Sequence, residues 1–545
     1  MKIKSADMIL TNGRFLTMEN EGAIAEAVAI ENGRIIYVGN DEEAKKFADE
    51  NTEIIDLHGR VAAPGLIDCH THPMGDYASR FSCLNLSGKN TSSLKKLLSC
   101  ISEAAKTTPK GEWIIGRGFD ESKFQEGAIP LTAKILDEAT TDHLVYLIRT
   151  CGHIGVLNSR AMERCGFTDA TRPSEGGGHF FKDQDGQLNG MISGGILGRV
   201  PTPPLTEAQR KNGMIDGVQK EYFQKGITAT GEMGSRAITF RMLEQLEAEG
   251  KLRLRVGFYA AGRRRPGENP MAQKILDVGL LPRFGSEHLK FLGIKFVMDG
   301  STGGKTAAFS QPYLGEPNNY GELYNNQDEL NEDVLKSARA GIQISIHAIG
   351  DRAIESALES VEYANANGVD TTKLRVRFEH LESPTPEQIE RIRRLNISIG
   401  LSSAFIYSLG DSHINALGYD RLTEAFPAKT LMGNGIVVGC NSDCPVCDVN
   451  PMLGIYSMVT RKTEAGQSFG GTKEAIDRFR ALRTYTKDAA YLLWADDVMG
   501  TLSIGKYADI VVFEQDFLSV PDEDLKNVTI YMTISGGEIV HQKAE

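Results

Sequence analysis

The chain has 545 residues, 41% of them hydrophobic and 24% charged, with a formal net charge of −12 at pH 7. That composition suits a folded protein with a large buried core, and the length calls for two or three domains. The acidic balance excludes a general nucleic-acid binder, and no apolar run approaches the ~18 residues of a membrane span.

The N-terminal "MKIKSADMILTNGRF" reaches a Thr-Asn-Gly turn too early to hold a signal-peptide core, so we read the chain as cytoplasmic. Residues 7–40 hold "DMILTNGRFLTM" and "EAVAIENGRIIYVG", short β-branched runs broken by Asn-Gly, which predicts hairpins. Residues 500–542 repeat the pattern, with Gly536-Gly537 as a turn. Two hairpin-rich ends around a long middle predict one small β-sandwich built from residues 1–61 and 496–545.

The middle alternates apolar runs with amphipathic stretches, the pattern of a parallel α/β fold. Eight runs are expected as strands: Pro64–His72, Gly226–Gly234, Leu254–Ala260, Leu292–Gly300, Gly341–Gly350, Arg375–Glu382, Ile397–Phe405 and Ile436–Asp443. After the sixth, Ser383-Pro384 marks a helix start. Eight strands with intervening helices make a (β/α)8 TIM-like barrel, carried by residues 62–75 and 205–495. Over 150 residues separate the first two strands, far more than a βα connection needs. Residues 76–204 are therefore expected as an inserted α+β subdomain, leaving through Pro201, Pro203 and Pro204.

In such a barrel the chemistry collects where strands end. The first strand ends in His70-x-His72, and residues i and i+2 share a face, so both rings can reach one ion. The fourth carries Lys295 and ends Asp299-Gly300-Ser301. The fifth ends in His347, the sixth in His380 and the eighth in Asp443. Singly, each reads more simply as a core residue, a surface lysine or a helix cap. Four of 11 histidines at matching strand ends, with one lysine and one aspartate, read as a metal site. The eight cysteines are expected as free thiols, since their spacing is not that of a small disulfide scaffold. "CPVC" (Cys444 to Cys447) could be a redox or zinc motif, but it lacks the second pair of a structural zinc site and a thioredoxin-like βαβ pattern around it.

Several longer stretches sharpen this. "AVAIENGRIIYVGND", "APGLIDCHTHP", "WIIGRGFDESKF", "PLTAKILDEAT" and "GHIGVLNSRAM" are followed by "IKFVMDGSTGGKTAAFSQPY", "HAIGDRAI", "RFEHLE", "NSDCPVCDVNPM" and "YTKDAAYLLWADDVMGTLSIGKYADIVVF". Together they resemble amidohydrolase family 3, the YtcJ-like branch of the amidohydrolase superfamily, along nearly the whole chain. The resemblance implies two divalent metal ions, zinc first among them. His70 and His72 would hold one ion and His347 and His380 the other. Lys295, carboxylated on its side chain, would bridge both. Asp443 would bind metal weakly, contact the bridging hydroxide and act as the catalytic base. The family's "DGS-L-G" stretch here reads Asp299-Gly300-Ser301-Thr302-Gly303, a departure expected to touch substrate fit.

The implied reaction is hydrolysis of an amide, formamide or cyclic amide of a small molecule by a metal-bound hydroxide. Rivals are a deaminase or esterase with the same centre, a lyase or isomerase, and a non-catalytic binding or regulatory protein. The insert is expected to roof the site, with His153, Asn158 and Ser301 as substrate contacts. Trp113 and Phe119 line the pocket or pack the insert. The arginines of "GRRRPG" (Gly262 to Gly267) read first as a solvated loop and second as a carboxylate clamp. The expected partner is a small-molecule substrate, with neither nucleic acid nor membrane; a homodimer is the oligomer allowed for.

Overall fold

The computed structural model describes residues 5–73, 83–87, 91–172, 178–204, 206–262 and 271–544. Its centre is a sheet of eight parallel strands hydrogen-bonded in chain order. They are β1 (Leu66–Thr71), β2 (Ile227–Ser235), β3 (Arg255–Ala261) and β4 (Leu289–Val297). Then come β5 (Gln343–Ala348), β6 (Arg377–His380), β7 (Ser398–Leu401) and β8 (Val438–Cys440). Each lies inside or across one of the eight runs expected from sequence. Strands such as β1 and β5 are buried along their whole length, because helices cover one face and the barrel interior the other.

The eighth seam is closed by loop backbone. Asp443 N–H donates to the carbonyl of His70 (3.1 Å), and His72 N–H donates to the carbonyl of Cys444 (2.7 Å). The segment after β8 thereby adds to the end of β1, so the His-x-His pair sits on the seam that completes the barrel.

The helices form outside for ordinary reasons. Helix Asp351–Ala366 buries Ala353, Ile354, Ala357, Leu358, Val361 and Ala364, a stripe at helical spacing that packs on the sheet. Helix Pro386–Arg394 begins two residues later than Ser383-Pro384 suggested. Thr385 and Gln388 form a capping box there, with Pro386 in the first turn, and that signal outweighs the earlier proline.

Both termini build a two-sheet sandwich. One sheet orders Arg34–Gly39, Ala27–Glu31, Met8–Thr11 and Glu53–Asp56. The other joins Val61–Pro64, Arg14–Leu16 and Ile24–Ala25 to Ile510–Phe513, Ile530–Ser535 and Glu538–Gln542 from the C-terminal end. Their inner faces share one core, with Leu10, Val28 and Ile30 against Phe15, Ile510 and Met532. Asn32 (φ 51°) and Gly33 (φ 72°) form the expected hairpin turn. Asn12-Gly13 does not: the strands it joins lie in different sheets, so it is a corner that carries the chain across the sandwich.

Between β1 and β2 the chain forms a separate six-stranded mixed sheet, including Trp113–Phe119, Leu144–Arg149, Ile154–Leu157 and Leu188–Ser193. Helices Leu94–Thr107 and Ser159–Cys165 belong to the same segment. Thr150 Oγ1 donates to the carbonyl of Val446 (3.0 Å), which pins this sheet to the loop after β8. Among the described residues, no helix is long and apolar enough to cross a membrane.

Candidate metal centre

Four histidines converge where β1, β5 and β6 end, and each is held by one ring nitrogen. His70 Nδ1–H donates to Glu379 Oε2 (2.7 Å), and His72 Nδ1–H donates to the carbonyl of Met233 (3.0 Å). His347 Nε2–H donates to the carbonyl of Gly300 (3.0 Å). Ser402 gives its proton to Asn441, so its oxygen accepts Nδ1–H of His380 at 2.7 Å. Each outward bond fixes the tautomer and leaves a lone pair on the opposite nitrogen, the arrangement that metal-ligating imidazoles show.

The inward nitrogens of His70 and His72 gather with Asp443. Its Oδ1 lies 3.2 Å from His70 Nε2 and 3.1 Å from His72 Nε2. That oxygen is buried, yet neither approach has hydrogen-bond geometry. The three ligand atoms lie within 4.8 Å of one another. The other two rings adjoin: His380 is 4.9 Å from His70 and 4.4 Å from His347, centroid to centroid. Phe405 stacks on His380 at 5.7 Å and walls that side.

Lys295 enters from β4. It is buried, and its Nζ has no hydrogen-bond partner among the described residues. Burial pushes the amine down to about 8, against the opposing pull of Glu379 and Asp443. A buried amine without an acceptor and a buried carboxylate oxygen without a donor are both costly as they stand. A cation at the lone pairs would satisfy Asp443, and an anionic modification would turn Lys295 into a ligand. The donor set fits a divalent metal centre.

Beneath the histidines lies a polar floor that the sequence reading did not single out. Arg377 donates to both oxygens of Glu379 (2.5 and 2.9 Å), to the carbonyl of Cys69 (3.0 Å) and to Tyr259 Oη (3.1 Å). Ser345 Oγ adds a bond to Glu379 at 2.7 Å. Burial alone would raise the Glu379 carboxyl, but Arg377, His70 and Lys295 hold it well below the usual range. Glu379 is thus a buried anion whose task is to orient His70. Its signal was in "RFEHLE": two charged residues at i and i+2 of a buried strand both face the barrel interior.

Asp299 is also occupied by structure. It accepts backbone N–H groups from Ala308 (2.9 Å), Ile349 (3.1 Å) and Gly350 (2.9 Å), tying the loops after β4 and β5.

The expected substrate contacts divide. His153 lines the cavity over the histidines, its ring 5.8 Å from His347, and Ser301 lines the same wall. Asn158 does not reach the site. Its Oδ1 accepts N–H groups of Val145 (3.0 Å) and Ala161 (3.0 Å), and its Nδ2 donates to the carbonyls of Thr140 (3.3 Å) and His143 (3.0 Å). It is the N-cap of helix Ser159–Cys165, fully committed inside the insert. Phe119 and Trp113 pack the insert. Arg263, Arg264 and Arg265 lie outside the described residues. None of the eight cysteines is in a disulfide, and Cys444 and Cys447 are buried.

The sequence profile of the amidohydrolase family matches residues 53–541. The chain is 29% identical to putative amidohydrolase YtcJ of Bacillus subtilis, across 98% of this chain and 99% of that one. It is 24% identical to N-substituted formamide deformylase of Arthrobacter pascens, across 98% of each. Among solved structures, a metal-dependent hydrolase from Pyrococcus horikoshii superposes with a TM-score of 0.73 at 26% identity. That match covers 95% of this chain and 99% of the other.

Proposed function

We propose that this chain, which belongs to the amidohydrolase family, is a metal-dependent hydrolase that cleaves a C–N bond of a small amide, formamide or cyclic amide. The observation that carries this is the set of four imidazoles, each tied outward by one nitrogen and open inward by the other, around Asp443 and Lys295. A non-catalytic protein would have no need to keep all six groups so oriented. The similarity to an N-substituted formamide deformylase supports the amide reading over ester or amino-heterocycle substrates.

In this proposal His70 and His72 would hold one divalent ion and His347 and His380 a second, with Asp443 and a carboxylated Lys295 completing the ligand set and zinc the first candidate. Bound there, such ions would lower the pKa of water toward ~7 and polarise a carbonyl. The chain's own residues do the rest. Glu379 and the carbonyls of Met233 and Gly300 fix the imidazole tautomers. Asp443 accepts the proton of the attacking water as its oxygen bonds to the acyl carbon, then delivers it to the departing nitrogen as the C–N bond breaks. Transfers of this kind contribute ~10²–10⁴-fold. His153 and Ser301 line the wall against which the substrate lies.

The test is turnover by metal-loaded enzyme on a panel of N-substituted formamides, cyclic amides, esters and amino-heterocycles. Release of free amine and carboxylic acid from the amides is expected. Turnover confined to esters, or ammonia released from amino-heterocycles alone, contradicts the C–N hydrolase reading.

A further inference from the structure

The cavity over the histidines has a second polar wall that the proposed chemistry leaves unused, and it comes from the insert. Strands Trp113–Phe119 and Leu144–Arg149 run parallel and end together at the barrel mouth. The first continues into Asp120-Glu121, and the second ends at Arg149. Arg149 is only 2% exposed. Its Nε donates to both oxygens of Glu121 (3.0 Å each), and one Nη2 hydrogen goes to Asp120 Oδ1 (2.9 Å). No described residue accepts from Nη1. A guanidinium carries five donors in a fixed fork, so two clamped edges aim the third.

The third edge faces the cavity that Arg149 helps to line. Gly303 lies across from it: a Cβ built there would meet Ser412 Oγ at 2.7 Å and Arg149 Nη1 at 3.8 Å, so Nη1 and Gly303 share this wall of the cavity. Nη1 keeps some exposure to that cavity, so a ligand oxygen can accept its N–H groups there in place of water.

The charges on this wall say which oxygen. His413 faces acceptors with both ring nitrogens, the carbonyl of Leu409 at 2.8 Å and Glu382 at 3.2 Å, so it stands as an imidazolium. Asp120, Glu121 and Glu382 against Arg149 and His413 leave one net negative charge. Such a wall does not attract a second carboxylate. It suits a neutral acceptor.

We propose that Arg149 is a substrate-binding residue whose Nη1 donates to a neutral carbonyl oxygen of the substrate other than the one attacked. This rests on the amide reading above and narrows it to amides with a second carbonyl.

Three matched probes test it: N-acetylglycinamide (second neutral carbonyl), N-acetylglycine (carboxylate) and N-ethylacetamide (neither). Binding to metal-loaded protein is measured by calorimetry or by displacement of a competitive inhibitor. Wild type should bind N-acetylglycinamide at least tenfold tighter than N-ethylacetamide, and N-acetylglycine no tighter than N-acetylglycinamide. Arg149→Met should reduce the tenfold preference to under twofold, with metal content kept. Should that variant fold poorly for loss of the Asp120 and Glu121 partners, Arg149→Lys gives the same test, since it keeps a cation between those carboxylates and removes the guanidinium fork. Equal binding of all three probes by wild type, a preference retained in both variants, or tightest binding of N-acetylglycine overturns the assignment. A preference that holds in binding while no amide is hydrolysed would instead refute the C–N hydrolase reading and leave the role of Arg149 standing.

Discussion

Glu379 Oε2 and His70 Nδ1 face each other at 2.7 Å in the closed interior of the barrel, both residues almost fully buried. This pair decides which nitrogen of His70 is free. A buried carboxylate at Nδ1 puts the proton there and raises the basicity of Nε2 toward the cavity.

Glu379→Gln should therefore weaken metal binding by about 10–100-fold, the usual cost of losing such a partner. Chelator competition against the purified variant measures it. Unchanged affinity would mean that the His70 tautomer is set elsewhere. Glu379→Ala should in addition destabilise the fold by about 3–5 kcal/mol, because it strands the buried Arg377 guanidinium.

Asp443→Asn should keep most of the bound metal and lose about 10²–10⁴-fold in kcat, since the amide has the shape but cannot take a proton. Near-wild-type kcat in this variant would assign the proton acceptor to another group.

His413 predicts a pH dependence of stability. Burial pulls its pKa down, but Glu382 and the carbonyl of Leu409 outweigh that, and the folded value is raised above the ordinary one. A raised histidine contributes its stabilisation fully below the unfolded pKa of ~6.5 and loses it as pH rises through the folded value. Wild-type Tm should accordingly fall from pH 6 toward alkaline pH, and His413→Gln should flatten that slope. A parallel slope in the variant would place the titration elsewhere.

Lys295→Ala should lose metal and most activity, with partial rescue by added short carboxylates. An ammonium at this position would repel a unit positive charge 4 Å away by about 4 kcal/mol at an effective dielectric near 20, whereas a carbamate attracts it. The amine pushed down to about 8 has a sizeable neutral fraction near neutral pH, the form that adds carbon dioxide. Density for an unmodified side chain pointing away from two occupied metal positions, in bicarbonate-containing crystals, would refute the carbamate.

The barrel was legible because its strands are buried on both faces and so read as unbroken apolar runs. The His-x-His pair was legible because a period of two keeps both rings on one side. Other features hid behind local geometry. Glu379 and His380 are adjacent and would alternate faces in a regular strand, yet both serve the interior. His380 has φ 72°, a left-handed turn at the strand's last residue that swings the ring back. Asn158, for which a structural role stood beside that of substrate contact, has the structural one. An asparagine directly before the helix it caps was the signal that it had a structural task. The clamp on Arg149 joins residues 28 and 29 positions apart, a pairing that only the insert's strand register creates.

The most direct test is elemental analysis of wild type and the double variant His70→Ala, His72→Ala, both purified without chelator under metal-replete conditions. The account predicts about two divalent ions per wild-type chain and the loss of at least one in the variant. Wild-type protein without stoichiometric metal, or a variant that keeps its full complement, would contradict it.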